Sequence, residues 1–529
     1  MDDAKEGLGF RQRIIGSRRS LQKEMEALAL ASSVDGRTFT YEAPVTSNLP
    51  LGGYVRLTAE DGRVFLGQVL QRSLREREGP ELNFGGNVFG SQGAEAGLTQ
   101  TSIRMKLQSL EGSGVLIGES DGEGFAQMTR GTSFKDADIA PADAETVGRY
   151  LDDWASSRTT LPIGSIGGVD NVTARINAAG FDRHTFLVGQ SGSGKTYSLG
   201  ILLEHLILET DLRVVILDPN ADYVQLGKVL ENVKDDALRA RYEEAAKGVR
   251  VLRPAQSAGA IDEELHVRYS ELSRAEQALA LKLDPIESRE EFNTFWQTVD
   301  RLDKESYSLA DVRQAASGDL SALARQLSLR IDNLDVAKWD VWAPAESGSL
   351  SSALDDDWRV LVLDLSGFGR QDEQSIVALA TLGHFWKHRN EKKPVLIVAD
   401  EAHNLFPQEA THALQQPVIE HAIRIAGEGR KYGLYMLVAT QRPQKIHINV
   451  LSQCDNLVLM RVNSHADLGH LSSVFSFVPE SLLAESPVFA QGESLLAGKI
   501  VPSPMLMRFG RRISQEGGSD VPADWARRS

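Results

Sequence analysis

One cysteine, Cys454, stands in a chain of 529 residues. It has no partner for an internal disulfide and cannot hold a metal alone, which fits a reducing compartment. No run approaches the roughly 18 apolar residues of a membrane span, and the polar N-terminus lacks the apolar core of a signal peptide. These absences predict a soluble, cytoplasmic chain without a membrane partner. A basic excess is missing too: 57 Lys and Arg face 73 Asp and Glu, for a net charge of −16. That disfavours a protein that coats nucleic acid with a broadly basic surface, while cations gathered in a channel still act through the local field. No internal repeat is evident. What remains is ordinary globular composition, 42% hydrophobic and 25% charged, in a chain long enough for about two to four domains.

The most informative stretch is His184 to Thr196, H-T-F-L-V-G-Q-S-G-S-G-K-T. A short apolar run enters G-x-x-x-x-G-K-T, and Tyr197 to Thr210 then reads as a helix. That order is what a phosphate-binding loop requires. Glycines let successive N–H groups of Gly189, Gln190, Ser191, Gly192, Ser193 and Gly194 turn toward phosphate, and the helix that follows, from Lys195, Thr196 and Tyr197 onward, adds its dipole. Lys195 is placed to reach the β- and γ-phosphates of ATP, and the Thr196 hydroxyl to ligate Mg²⁺.

Around this loop the text changes character several times. A basic arm with Arg11, Arg13, Arg18 and Arg19 leads into a mixed helical run, Leu21–Ala31. Short strands follow at Thr38–Ala43, Tyr54–Thr58, Val64–Gln71, Ser102–Leu110 and Gly114–Gly118, with Asp61-Gly62 as a hairpin turn. Strands at this spacing predict a small β-barrel within residues 1–140. A Gly-rich loop, Phe84–Gly97, interrupts them. Residues 141–222 hold a connector with an edge strand at Asn171–Ile176, then the first part of an α/β core. Residues 223–358 turn helical and are too long for a crossover, which predicts an inserted helical bundle. Residues 359–510 return to apolar strands at Arg359–Leu365, Val395–Ala399, Gly433–Thr440 and Asn456–Val462, and 511–529 form a tail. Fully apolar strands alternating with helices predict a doubly wound, RecA-like P-loop α/β core.

Four further groups bear on chemistry. The strand Val395–Ala399 ends in Asp400-Glu401. Asp400 is positioned to hold the Mg²⁺ shell and Glu401 to polarise water for attack on the γ-phosphate. Adjacent acids also cap helices, but downstream of a phosphate loop the nucleotide role prevails. Gln441, after Val438-Ala439-Thr440, ends another strand at the same edge, where it can contact the γ-phosphate or the water; a turn residue before Pro443 is the alternative. Asp218, in Asp218-Pro219-Asn220-Ala221-Asp222-Tyr223, either shares the outer shell of the metal or makes a turn. Arg430 and Lys431 end a helix, where they either reach triphosphate, in their own or a neighbouring subunit, or simply answer the helix dipole. Arg183 and Arg461 are weaker candidates for the same task. His403 has no second histidine at ligand spacing, which points to a loop or coupling role.

Taken in order, H-T-F-L-V-G-Q-S-G-S-G-K-T, D-P-N-A-D-Y, V-L-I-V-A-D-E-A-H, G-R-K-Y-G and A-T-Q-R-P resemble the HerA branch of the HerA/FtsK ATPases. The run Gly53–Val69 is similar to the small barrel preceding the motor in that branch. Asn220-Ala221-Asp222 departs from the more usual His-Gly-Glu. The resemblance implies a homo-hexameric ring that passes double-stranded DNA through its channel at the expense of ATP and Mg²⁺. It also implies an arginine contributed by the neighbouring subunit. A nuclease, or an effector of an anti-phage system, would dock on the barrel face. The alternatives are a ring-shaped ATPase scaffold that regulates a bound effector, and a secretion- or conjugation-type ATPase.

Overall fold

The computed structural model describes residues 26–84 and 101–518, apart from 121, 123, 128–130, 258, 260–262, 303–305 and 345–346. The Arg11–Arg19 arm, the start of the Leu21–Ala31 run, all but the first residue of the Phe84–Gly97 loop and the last eleven residues of the tail lie outside them. The chain divides into two compact units, Met1–Ser156 with Gly168–Val172, and Ser157–Gly167 with Thr173–Ser529.

In the first unit, β1 (Leu30–Ser33), β2 (Thr38–Pro44), β3 (Tyr54–Thr58), β4 (Val64–Phe84), β5 (Thr101–Ser120), β6 (Phe125–Gln127) and β7 (Phe134–Pro141) form one sheet, in the order β2-β1-β7-β3-β4-β5-β6. β2 also pairs antiparallel with β5, so six of the strands close on themselves. Closure removes the free edges of an open sheet. Alternate residues point inward and build a core of Phe39, Tyr41, Val55, Leu57, Phe65, Val69 and Ile139. Gly114 makes the close approach at the seam: a Cβ there would stand 2.2 Å from the Gln68 carbonyl oxygen and 2.3 Å from the Phe39 ring.

Two expectations need correction here. Leu30–Ser33 is a strand, not the end of a helix, because Ala31 and Ser33 alternate into the core while β2 and β7 supply partners on both sides. The runs Ser102–Leu110 and Gly114–Gly118 are one strand; Glu111-Gly112-Ser113 reads as a turn but continues the pairing with β4 and β2.

The second unit is built on a twelve-stranded sheet. Its strands are β8 (Thr160–Ile166), β9 (Thr173–Asn177), β10 (His184–Val188), β11 (Arg213–Asp218), β12 (Val249–Arg253), β13 (Glu263–Glu264), β14 (Val360–Asp364), β15 (Val395–Ala399), β16 (Leu434–Thr440), β17 (Cys454–Leu459), β18 (Glu493–Ala497) and β19 (Met505–Phe509), in the order β13-β12-β14-β11-β15-β16-β10-β17-β18-β19-β8-β9. The pairings from β13 to β17 are parallel and those from β17 to β9 antiparallel. Every residue of β10, β14 and β15 is buried. Such strands need cover on both faces, which explains their unbroken Val, Leu and Ile.

Residues 223–358 are not purely helical. Besides Asp236–Ala245, Arg274–Ala280, Arg289–Arg301, Leu309–Gly318, Ala322–Leu334 and Leu350–Asp355, they send β12 and β13 to extend the sheet beyond β14. Arg250 and Arg253 interrupt the apolar pattern of β12, and each is paired with acids at the sheet edge: Arg250 with Glu263 and Asp356, Arg253 with the buried Asp364. Residues 511–518 are likewise not a free tail. Glu204, wholly buried in the helix Lys195–Glu209, accepts from Arg512 Nε at 3.2 Å, Ile513 N at 2.9 Å and Ser514 N at 2.8 Å, and also from the Ser514 hydroxyl. Beyond it, Gln515 N bonds to Lys228 O and Gly517 N to Asp222 O.

Candidate nucleotide site

Parallel order fixes where chemistry can gather. β15, β16 and β10 are neighbours, in register from Leu187 with Ala439 and from Val398 with Leu437. Asp400, Gln441 and Gly189 therefore leave the same edge of the sheet, where strand ends in an open α/β sheet form a crevice.

The loop from β10 curls back on itself, with Ser193 N donating to Gln190 O at 3.0 Å. Gly192 (φ 74°) and Gly194 (φ 93°) adopt the left-handed backbone that side chains resist. Gly194 is also the N-cap of the helix Lys195–Glu209, so no side chain fills the mouth of the helix. Gln190 N bonds to Arg461 O, and Arg461 Nη2 returns to Gly192 O at 3.0 Å. Arg461 thus braces the loop of its own chain. Gln190, Ser191 and Thr196 retain exposure, whereas the Tyr197 hydroxyl accepts from Arg512 N at 2.9 Å.

Lys195, buried, pairs with Asp400 and lies 3.1 Å from Glu401. Burial alone would lower its pKa, but the two carboxylates push it above the ordinary lysine value. The second oxygen of Asp400 accepts from the Tyr223 hydroxyl at 3.0 Å. Tyr223 is delivered by the loop after β11, whose turn is held by Asp218: its carboxylate accepts from the N–H groups of Asn220, Asp222 and Tyr223. Burial pushes Asp218 up to about 7 despite these bonds. Asp218 therefore folds the loop, and its link to Asp400 runs through Tyr223. Ala221 stands at φ 59°, a conformation that suits the glycine of the more usual His-Gly-Glu pattern.

Glu401 takes a left-handed backbone, φ 41°, which a non-glycine residue adopts at a cost. It accepts from Gln441 Nε2 at 2.8 Å. His403 Nδ1 lies 3.3 Å from its other oxygen and 3.1 Å from Thr440 Oγ1 on β16. Burial raises the Glu401 pKa, but His403, Lys195 and Gln441 outweigh it and hold the group at about 2. Ser193 Oγ is buried without a hydrogen-bond partner among the described residues. An orphaned hydroxyl beside a glycine cradle and a buried lysine suits an anionic, hydrogen-bonding ligand. The donor set of Thr196 hydroxyl and Asp400 carboxylate suits a hard divalent cation.

Arg430 is the exception. It precedes β16, exposed, with Nη1 3.4 Å from Asp455 Oδ2, and Arg183 Nε shares the same carboxylate at 3.4 Å. Both sit where the parallel strands begin. The length of β16, about 20 Å at strand rise, separates them from Gln441 and the phosphate loop. Arg430 thus cannot act on a nucleotide held by its own chain. Sequence reasoning also missed a role for Tyr223, though the aromatic closing D-P-N-A-D-Y was a usable signal, and for the pair Glu204–Arg512, for which no local signal exists.

Among the described residues, no helix is long and apolar enough to cross a membrane. Residues 161–384 match the family model described as Helicase HerA, central domain. The chain is similar to the DNA double-strand break repair helicase HerA of Sulfolobus acidocaldarius, with 23% identity over 416 residues, covering 74% of this chain and 79% of that protein. With the helicase of the same name from Sulfurisphaera tokodaii the identity is 25% over 385 residues, 69% of this chain and 72% of that one. Among solved structures, VirB4 of Thermoanaerobacter pseudethanolicus aligns with a TM-score of 0.43 and 14% identity, over 67% of this chain and 98% of that one.

Proposed function

We propose that the chain, which is similar to the HerA-like P-loop ATPases, is a motor that couples ATP hydrolysis to movement along double-stranded DNA. It works in the cytoplasm as a homo-hexameric ring, and a nuclease or other effector docks on the barrel of residues 1–140. The observation that carries this reading is the convergence of Lys195, Asp400, Glu401 and Gln441 beside a glycine-rich loop. The resemblance of the relatives, named as DNA repair helicases, supports DNA as the track.

In this reading the backbone from Gly189 to Gly194 cradles the phosphates, and Lys195 leaves its carboxylate partners to meet them. Thr196 and Asp400 would hold Mg²⁺, which would supply Lewis-acid withdrawal of charge from the phosphoryl oxygens. Tyr223 keeps Asp400 aimed. Glu401 orients the attacking water; with Lys195 turned to phosphate it also loses the cation that suppresses its basicity, so arrival of substrate itself readies the base. Gln441 links that carboxylate to the end of β16 and senses the γ-phosphate. Arg430 serves the site of the neighbouring subunit.

The test is ATP hydrolysis with and without duplex DNA across a salt series. Stimulation by DNA, with apparent affinity falling steeply with salt, is expected. Hydrolysis indifferent to DNA at every salt concentration would refute translocation and leave the scaffold reading.

A further inference from the structure

At the opposite edge of the sheet, where the strands begin, the helix Gln371–Lys387 ends in His384-Phe385-Trp386-Lys387-His388. A spacing of four brings both imidazoles to one face, and their ring centroids are 4.4 Å apart. Asp355, the last residue of the helix Leu350–Asp355, meets them, with its Oδ1 3.4 Å from His384 Nε2. One ligand atom from each of the three lies within 4.8 Å of the others. None of them takes part in the nucleotide site.

The outer contacts are what single out this cluster. His388 Nδ1 is engaged by the His384 carbonyl at 3.0 Å, and His384 Nδ1 by Ser351 Oγ at 3.4 Å. With Nδ1 occupied on both rings, Nε2 is the nitrogen left to each for a ligand. Anchoring the remote nitrogen in this way is how proteins fix the tautomer of metal-bound histidine. Tetrahedral zinc with bonds of about 2.0–2.1 Å spaces its ligands at about 3.3 Å, close to the separation of Asp355 and His384.

Nearby cations have other partners. Arg213 lies over the Trp358 ring at 3.7 Å, Arg389 donates to Trp386 O at 2.7 Å, and Lys393 pairs with Glu391 at 2.8 Å. The cavity that these groups line measures about 40 Å³, room for an ion with a water rather than for an organic ligand.

We propose that Asp355, His384 and His388 bind one divalent transition-metal ion of the zinc class, with water in the fourth position. Two imidazoles and a carboxylate suit zinc, cobalt or nickel better than magnesium. The ion ties the last helix of the 223–358 segment to the helix that follows β14. It pins structure on the face away from hydrolysis.

The experiment uses the untagged full chain, stripped with chelator and titrated with Co²⁺ in excess Mg²⁺. One equivalent of Co²⁺ per chain is expected, with visible ligand-field absorption that Zn²⁺ abolishes. His388→Gln should weaken this uptake at least 10-fold. Asp355→Asn is the second variant, because its side chain is 63% exposed and its loss should not disturb folding; it should weaken uptake likewise and leave basal ATP hydrolysis unchanged. Absence of uptake by the wild-type chain would overturn the proposal, as would uptake by Asp355→Asn and His388→Gln equal to that of the wild type.

Discussion

Lys195 neutralises two buried carboxylates at once, so Lys195→Met is expected to cost stability as well as nucleotide binding. Methionine keeps most of the stem volume and leaves Asp400 and Glu401 without their cation. Breaking a buried pair by removing one partner costs about 3–5 kcal/mol. The depression of Glu401 from 4.5 to about 2 points the same way, because Lys195 is one of its causes beside His403 and Gln441.

The sign with pH follows from linkage. In the wild type Glu401 is depressed, so its contribution is present above pH 4.5 and disappears as pH falls toward 2. In the variant Glu401 loses the share of that depression that Lys195 supplies. The stability gap should therefore be full above pH 4.5 and narrow as pH falls toward 2. Denaturant unfolding of both proteins without added nucleotide, at pH 7 and about pH 3, measures it. A variant as stable as the wild type at pH 7, or a gap that does not change with pH, would refute the ion trio as a stabilising element.

Glu401→Gln should bind ATP normally and slow single-turnover phosphate release by about 10²–10⁴-fold; normal turnover would remove Glu401 from the mechanism. Gln441→Ala should lower kcat with little change in nucleotide affinity, read from steady-state kinetics beside equilibrium binding. Arg430→Ala should slow hydrolysis by about 10³-fold or more if it serves the neighbouring site, and mixing it with Glu401→Gln chains should restore part of the activity. A mild defect, or no restoration on mixing, would mark Arg430 as structural. Tyr223→Phe removes the hydroxyl from Asp400 and should weaken the response to Mg²⁺, measured as the Mg²⁺ concentration that half-activates hydrolysis.

The legible parts of this molecule are those in which one short run carries both its conformation and its chemistry. His184–Val188 and Val395–Ala399 are wholly buried strands, and their apolar runs say so. The groups at their ends inherit a place from the strand. Leu30–Ser33 was illegible because four residues cannot declare a period, and its partners β2 and β7 decide it. β12 was hidden by Arg250 and Arg253, whose acidic partners lie up to 111 residues away. Arg430 shows the converse: its neighbours in sequence suited phosphate, but register placed it at the wrong end of the strand.

Glu204 lies on the same helix that Gly194 opens, and it is gripped by residues 512–514. The segment that grips it goes on to fasten the loop carrying Tyr223. Seen mechanically, residues 512–518 are a tie rod between the two walls of the crevice. A tilt of one wall is handed to the other without passing through the sheet, so cutting the chain after Gly510 should uncouple walls that still stand.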